Sequence, residues 1–133
     1  MALLLPVLAE TMAPYDNFTL IPGDILKLNI PELVAEHMAG YRPIVCANLP
    51  YNITTPILTA LVEAGCFEQI TVMIQKEVAD RLAAAPGSAE YGAVTASVSY
   101  YAEVEKLFNV SAGNFLPVPK VDSAVVRMRL YKD

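Results

Sequence analysis

Three features of the 133-residue sequence predict an α/β fold with a terminal antiparallel element. Short apolar, β-branched runs alternate with segments of helical periodicity. One run, Pro43-Ile44-Val45-Cys46-Ala47, is apolar throughout, the mark of a strand buried on both faces of a parallel sheet. Two strand-like runs, 104–110 and 121–130, then follow each other with no helix between them.

Each element has a local reason. Leu5, Leu8 and Met12 recur at helical spacing, and Pro6 is tolerated only in a first turn, so 3–13 reads as a short helix. Pro14-Tyr15-Asp16-Asn17 is turn chemistry, after which Phe18-Thr19-Leu20-Ile21 reads as a strand ending at Gly23-Asp24. Pro31 to Met38 reads as a helix opened by Asn29 and closed by Gly40. Pro56 to Ala64 is helical, with Thr54 or Thr55 as cap and Gly65 past its end. Ile70–Ile74 is another buried strand, and Lys76–Ala85 a helix stopped by Pro86-Gly87. Tyr91, Val94, Val98 and Tyr101 mark one more helical face. In the last strand Ala124, Val126, Met128 and Leu130 alternate with Ser123, Val125, Arg127 and Arg129.

Composition sets the outer bounds. Apolar types make up 55% and charged types 17% of the chain, which can therefore offset its ordering entropy, so disorder is excluded. Interruptions such as Glu10 and Asn48 keep every apolar run short of the roughly 18 residues that span a bilayer, so no membrane helix is expected. The apolar start has no basic flank and meets Glu10, so secretion is not expected either. Cys46 and Cys66 read as buried free thiols of a cytoplasmic protein. A net charge of −5 argues against a whole-surface grip on nucleic acid while leaving room for a local basic patch.

In open parallel sheets ligands gather beyond the carboxyl ends of strands. Asp24 stands at one such end, where a carboxylate accepts hydrogen bonds from an amine or a ribose; Asp after Gly is more often an ordinary turn residue. Asn48-Leu49-Pro50-Tyr51 stands at another. The Asn48 side-chain oxygen and the Leu49 carbonyl, held by Pro50, offer two acceptors for one exocyclic amino group. Tyr51 adds a flat face for stacking a base. The same residues also read as a Pro-stiffened turn with a half-buried Tyr. His37 has no neighbours at metal-ligand spacing, and no metal is assigned. Lys76, Arg81 and Lys120, with Arg127, Arg129 and Lys132, are available to phosphates or are simply solvated charges.

From Asp24 onward the chain resembles the ribosomal RNA adenine N6-dimethyltransferases, a family that includes the erythromycin-resistance methylases. The resemblance rests on Gly23-Asp24-Ile25-Leu26, on Ala47 through Pro56, on Gln75 through Leu82 with Tyr91-Gly92, and on Phe115 through Arg127. It implies a Rossmann-like S-adenosylmethionine-dependent methyltransferase fold, partial over residues 1–133, with a terminal antiparallel hairpin. It implies that Asp24, Ile25 and Asn48 bind the cofactor, Asp24 at its adenine amino group with Ile25 beside that ring. Asn48 and Leu49, shaped by Pro50, would take the target adenine's N6 hydrogens, and Tyr51 and Phe115 would sandwich the base. The implied partner is ribosomal RNA of the small subunit. The family's glycine-rich turn, the acid at the end of its second strand and its C-terminal helical domain have no match here. Their absence predicts open apolar strand edges and self-association through them. The alternative is a non-catalytic RNA-binding or interaction module on the same fold.

Overall fold

The computed structural model describes residues 4–89 and 91–131, with Leu4 and Tyr51 described by their backbone alone. Helix α1 (Leu4–Met12) follows the Leu5, Leu8, Met12 spacing; Leu3, the expected start, lies outside the described residues. Helix α2 (Ile30–His37) opens where local chemistry requires it. The Asn29 side chain accepts the Glu32 N–H at 3.1 Å, and Pro31 sits in the first turn, where its missing N–H costs nothing.

Among the described residues four strands form one mixed sheet in the order β1-β2-β4-β3. Strand β1 (Ile44–Asn48) runs parallel to β2 (Gln69–Gln75), with Asn48 opposite Met73. Between them the chain makes a short 3-10 turn at Tyr51–Ile53 and helix α3 (Thr54–Glu63). After β2 come α4 (Lys76–Leu82) and α5 (Ala93–Tyr101), which runs straight into β3 (Ala102–Val110). Strand β4 (Ser123–Leu130) inserts between β2 and β3, antiparallel to both. The two closing strands thus pair as a hairpin whose second strand also joins the parallel pair.

The core lies between sheet and helices. Leu58 and Val62 of α3, Ile70, Val72 and Ile74 of β2, Leu82 of α4, Val98 of α5, and Ala124, Val126 and Met128 of β4 are essentially buried. Each large apolar side chain so buried contributes about 1.5–3 kcal/mol. The inward face of β4 is the one its alternation predicts. Thr95 links two of the helices: its hydroxyl accepts the Gly92 N–H at 3.1 Å and donates to the Arg81 carbonyl.

Several expectations are corrected. Residues 18–21 form no strand, because a strand exists only through lateral pairing and no described loop hydrogen bond engages this segment. Strand β1 is not buried on both faces. With β2 alone beside it, it is an edge strand whose residues alternate between exposed and half-buried; Ile44 is 57% exposed. Cys46 is therefore exposed, whereas Cys66 is half-buried, where desolvation pushes its thiol pKa up. Thr54 does not cap α3 as an acceptor; its hydroxyl donates to the Pro50 carbonyl at 2.8 Å. Helix α4 ends at Leu82, before Ala85, because the Ala84 N–H turns back to the Arg81 carbonyl. Among the described residues no helix is long and apolar enough to cross a membrane.

Candidate base-binding site

The parallel register of β1 and β2 brings Asn48 and Met73 side by side at the carboxyl end of both strands. A cleft of about 310 Å³ opens there, lined by Asn48, Leu49, Pro50, Met73, Phe115, Leu116, Pro117 and Pro119. Its position is fixed from below. The Leu49 N–H donates to the Met73 carbonyl at 3.2 Å, and the Leu49 side chain is buried in the core. Pro50, extended at φ −61° and ψ 139°, turns its own carbonyl away into the Thr54 hydroxyl and the Ile53 N–H. Among the described residues nothing donates to the Asn48 side chain or the Leu49 carbonyl. Two acceptors are therefore free at one strand end, with the half-buried Phe115 across the cleft.

Of the residues singled out in the sequence, the structure thus gathers Asn48, Leu49, Pro50 and Phe115. The Tyr51 side chain lies outside the described residues. Asp24 and Ile25 line neither of the two described clefts. The Asp24 carboxylate accepts the Leu26 N–H at 3.0 Å and its carbonyl accepts the Lys27 N–H at 2.8 Å, the hydrogen bonding of a turn residue. Ile25 packs against the core. Met73 and the apolar Leu116, Pro117 and Pro119 were not singled out. The β1–β2 register that delivers Met73 is a non-local fact.

A second cleft of about 650 Å³ is walled by Gln75, Lys76, Glu77, Asp80, Arg81, Ala89 and the segment Lys120-Val121-Asp122. It collects Lys76, Arg81 and Lys120, and equally the carboxylates Glu77, Asp80 and Asp122. Lys76 bonds Asp80 at 2.9 Å and Arg81 bonds Glu77 at 3.1 Å, both one helical turn apart. Asp80 also takes Lys106 at 2.8 Å, so it bridges α4 to β3. Hydrogen bonds from Lys106 and Lys76 hold the Asp80 carboxyl below the usual carboxylate range, and the bond to Asp80 holds Lys76 above the usual lysine value. Lys120 has no ion pair among the described residues. Arg127 pairs with Glu105 across the β3–β4 ladder, and Lys132 lies outside the described residues. Among the described residues no group of three metal-ligating side chains comes together.

The α/β sheet thus presents two free acceptors and an aromatic side chain at its strand ends. The family described as ribosomal RNA adenine dimethylase matches residues 2–133, and the chain belongs to that family. It is 50% identical over 127 residues to the ribosomal RNA small subunit methyltransferase A of Lactococcus lactis subsp. lactis (strain IL1403), covering 94% of this chain and 43% of that protein. It is 48% identical over 132 residues to the protein of that name from Lachnoclostridium phytofermentans, covering 98% of this chain and 46% of that one. The chain thus spans less than half the length of these curated relatives. Among solved structures, a dimethyladenosine transferase from Plasmodium falciparum superposes with a TM-score of 0.81 at 27% identity, over 98% of this chain and 46% of that one. The 23S rRNA methyltransferase ErmE superposes at 0.79 and 25% identity, over 100% of this chain and 50% of that one. The fold is therefore that of the Rossmann-like rRNA methyltransferases.

Proposed function

We propose that this chain carries the target-base side of an S-adenosylmethionine-dependent rRNA adenine N6,N6-dimethyltransferase acting on small-subunit rRNA in the cytoplasm. The observation that carries the reading is the pair of free acceptors, the Asn48 side-chain oxygen and the Leu49 carbonyl, in a cleft walled by Phe115. An adenine amino group offers two hydrogens to such a pair. Its nitrogen lone pair is delocalised into the ring and poorly nucleophilic. Acceptors that draw both hydrogens out of the ring plane favour a tetrahedral nitrogen with a localised lone pair. Holding that nitrogen in line with a methyl donor contributes the proximity term. The nitrogen would take the methyl group as the donor's sulfur–carbon bond breaks, sulfur leaving with the bonding pair as a neutral thioether, and the cationic nitrogen would release one proton to solvent, so no strong base is required. The base must leave its stack to enter the cleft, so the target is a single-stranded or flipped adenine.

The described residues fit the adenine end of S-adenosylmethionine. Asp24 keeps a second carboxylate oxygen for an exocyclic amine, and Ile25 supplies an apolar neighbour for a ring. When bound, the cofactor supplies an electrophilic sulfonium methyl group. Lys120, with Lys76 and Arg81 beside it, would meet RNA phosphates. The unpaired outer edge of β1 would join a second copy of the chain. A second reading, an RNA-binding module without methyl transfer, draws on the placement of Asp24 in its own turn and outside both described clefts.

Calorimetric titration decides between them. Binding of S-adenosylmethionine that Asp24→Ala abolishes, together with binding of an adenine-containing oligoribonucleotide that Asn48→Ala weakens, supports the methyltransferase reading. Heat from the oligoribonucleotide alone leaves the binding module. Heat from neither refutes both.

A further inference from the structure

We infer that Asp122 is a positioning residue that sets the Phe115 loop against the acceptor pair, an inference that rests on the base-binding reading above. The loop runs from 111 to 122 between β3 and β4, and it forms a wall of both clefts. A connection of this length is costly to order unless something holds it. Packing does little of that work at its tip, where Leu116 is 97% and Val118 63% exposed. Polar bonds at its neck do it instead.

Asp122, the last residue of the loop, reaches back to its start. Its Oδ1 accepts the Ala112 N–H at 2.8 Å, a charge-assisted bond across ten residues of sequence. Ala112 opens a short 3-10 turn (Ala112–Asn114), and its carbonyl accepts the Phe115 N–H at 3.2 Å. The turn is braced from the other side. The Ser111 carbonyl takes the Asn114 N–H at 3.0 Å and the Asn114 side chain at 3.1 Å. Meanwhile the Asp122 carbonyl accepts the Lys76 N–H at 2.9 Å, fastening the neck to the residue that follows β2. Met73, in the same strand, lines the cleft that Phe115 walls. A continuous set of hydrogen bonds therefore runs from Lys76, directly after the strand bearing Met73, through Asp122 and Ala112, to the backbone of Phe115. Asp122 itself lines the other cleft and not this one, so it acts on the base through Phe115.

Two substitutions separate acceptor from charge. Asp122→Ala removes both, whereas Asp122→Asn keeps an oxygen that accepts the Ala112 N–H. Two probes are titrated by fluorescence anisotropy: a short oligouridine with one central adenosine, and its abasic counterpart. Their affinity ratio reads the base pocket alone, because the backbone is common. The wild-type chain prefers the adenosine probe. Asp122→Ala lowers that preference about fivefold, the ratio that one hydrogen bond's worth of loop order supports, and Asp122→Asn stays within about twofold of wild type. Amide hydrogen exchange supplies a readout independent of RNA: Ala112 and Phe115 lose protection in Asp122→Ala and keep it in Asp122→Asn. An unchanged preference and unchanged protection in Asp122→Ala overturn the inference, as does an Asn variant that behaves like the Ala variant. A wild-type chain without preference for adenosine removes the base-binding reading itself, and with it the role assigned to Asp122.

Discussion

Replacing Phe115 by alanine removes the described aromatic wall of the cleft while leaving the acceptors in place. Phe115 is half-buried, stands outside the core formed by α3, β2, α5 and β4, and is held by its backbone N–H on Ala112. Its ring therefore serves the cleft more than the fold. Stacking of one base on an aromatic side chain is worth about 1–3 kcal/mol, and one pKa-sized step of 1.36 kcal/mol is a factor of ten. Phe115→Ala should therefore weaken binding of a labelled adenine-containing oligoribonucleotide by roughly fivefold to 150-fold, read by fluorescence anisotropy at fixed salt. Phe115→Leu keeps an apolar side chain without the π-face, and should lose most of the same affinity. Phe115→Tyr should keep it. Circular dichroism melts of all three should stay near wild type. Wild-type affinity in Phe115→Leu would refute stacking in favour of simple apolar contact, and wild-type affinity in Phe115→Ala would remove Phe115 from the site.

Three other perturbations follow from the charges and the edge. Lys120→Ala should reduce the slope of log affinity against log salt by about 0.7 for one lost single-strand phosphate contact, whereas Lys76→Ala and Arg81→Ala, whose charges are already paired, should reduce it less. Asp80 has its folded pKa depressed by Lys106 and Lys76, so its contribution to stability is present above the unfolded carboxylate value and lost as pH falls through the folded one. Thermal melts below about pH 4 should thus lose stability in the wild type and flatten in Asp80→Asn, with a modest amplitude because the bridge is partly solvated; parallel curves would contradict the bridge. Sedimentation velocity at rising concentration should show association that Ile44→Lys on the β1 edge suppresses, and a wild-type monomer throughout would exclude pairing through that edge.

The parts of this structure legible in the sequence are those decided within a few residues. Asn29 and Pro31 announce the start of α2 because a cap needs only its own first turn. The alternation of Ala124, Val126 and Met128 announces the inward face of β4 because a strand's faces repeat every two residues. What the sequence hid is non-local. Residues 18–21 have strand composition but no lateral partner among the described residues. Strand β1 looks fully buried by composition yet occupies an edge, because burial depends on what flanks it. That β4 slides between β2 and β3, and that Asp80 meets Lys106 across 26 residues, are matters of register that no local pattern encodes. The site divides in the same way. Asn48, Leu49 and Pro50 are adjacent in sequence and were readable as a unit, and Phe115 was readable only through family resemblance. Met73 and Asp122 reach the clefts through pairing and loop closure.

Whether Asn48 and Leu49 receive the two hydrogens of an adenine amino group is decided by a double-substitution cycle. Affinity is measured for one oligoribonucleotide carrying adenine and one carrying purine, which lacks that amino group, each against wild type and Asn48→Ala. Asn48 is exposed and its side chain takes no part in the described hydrogen bonding, so the variant should fold as wild type does. The wild-type chain should favour adenine over purine by about fivefold to tenfold, and Asn48→Ala should erase most of that preference. Equal affinity for adenine and purine in the wild type, or a preference untouched by Asn48→Ala, would mean that this pair does not read the amino group.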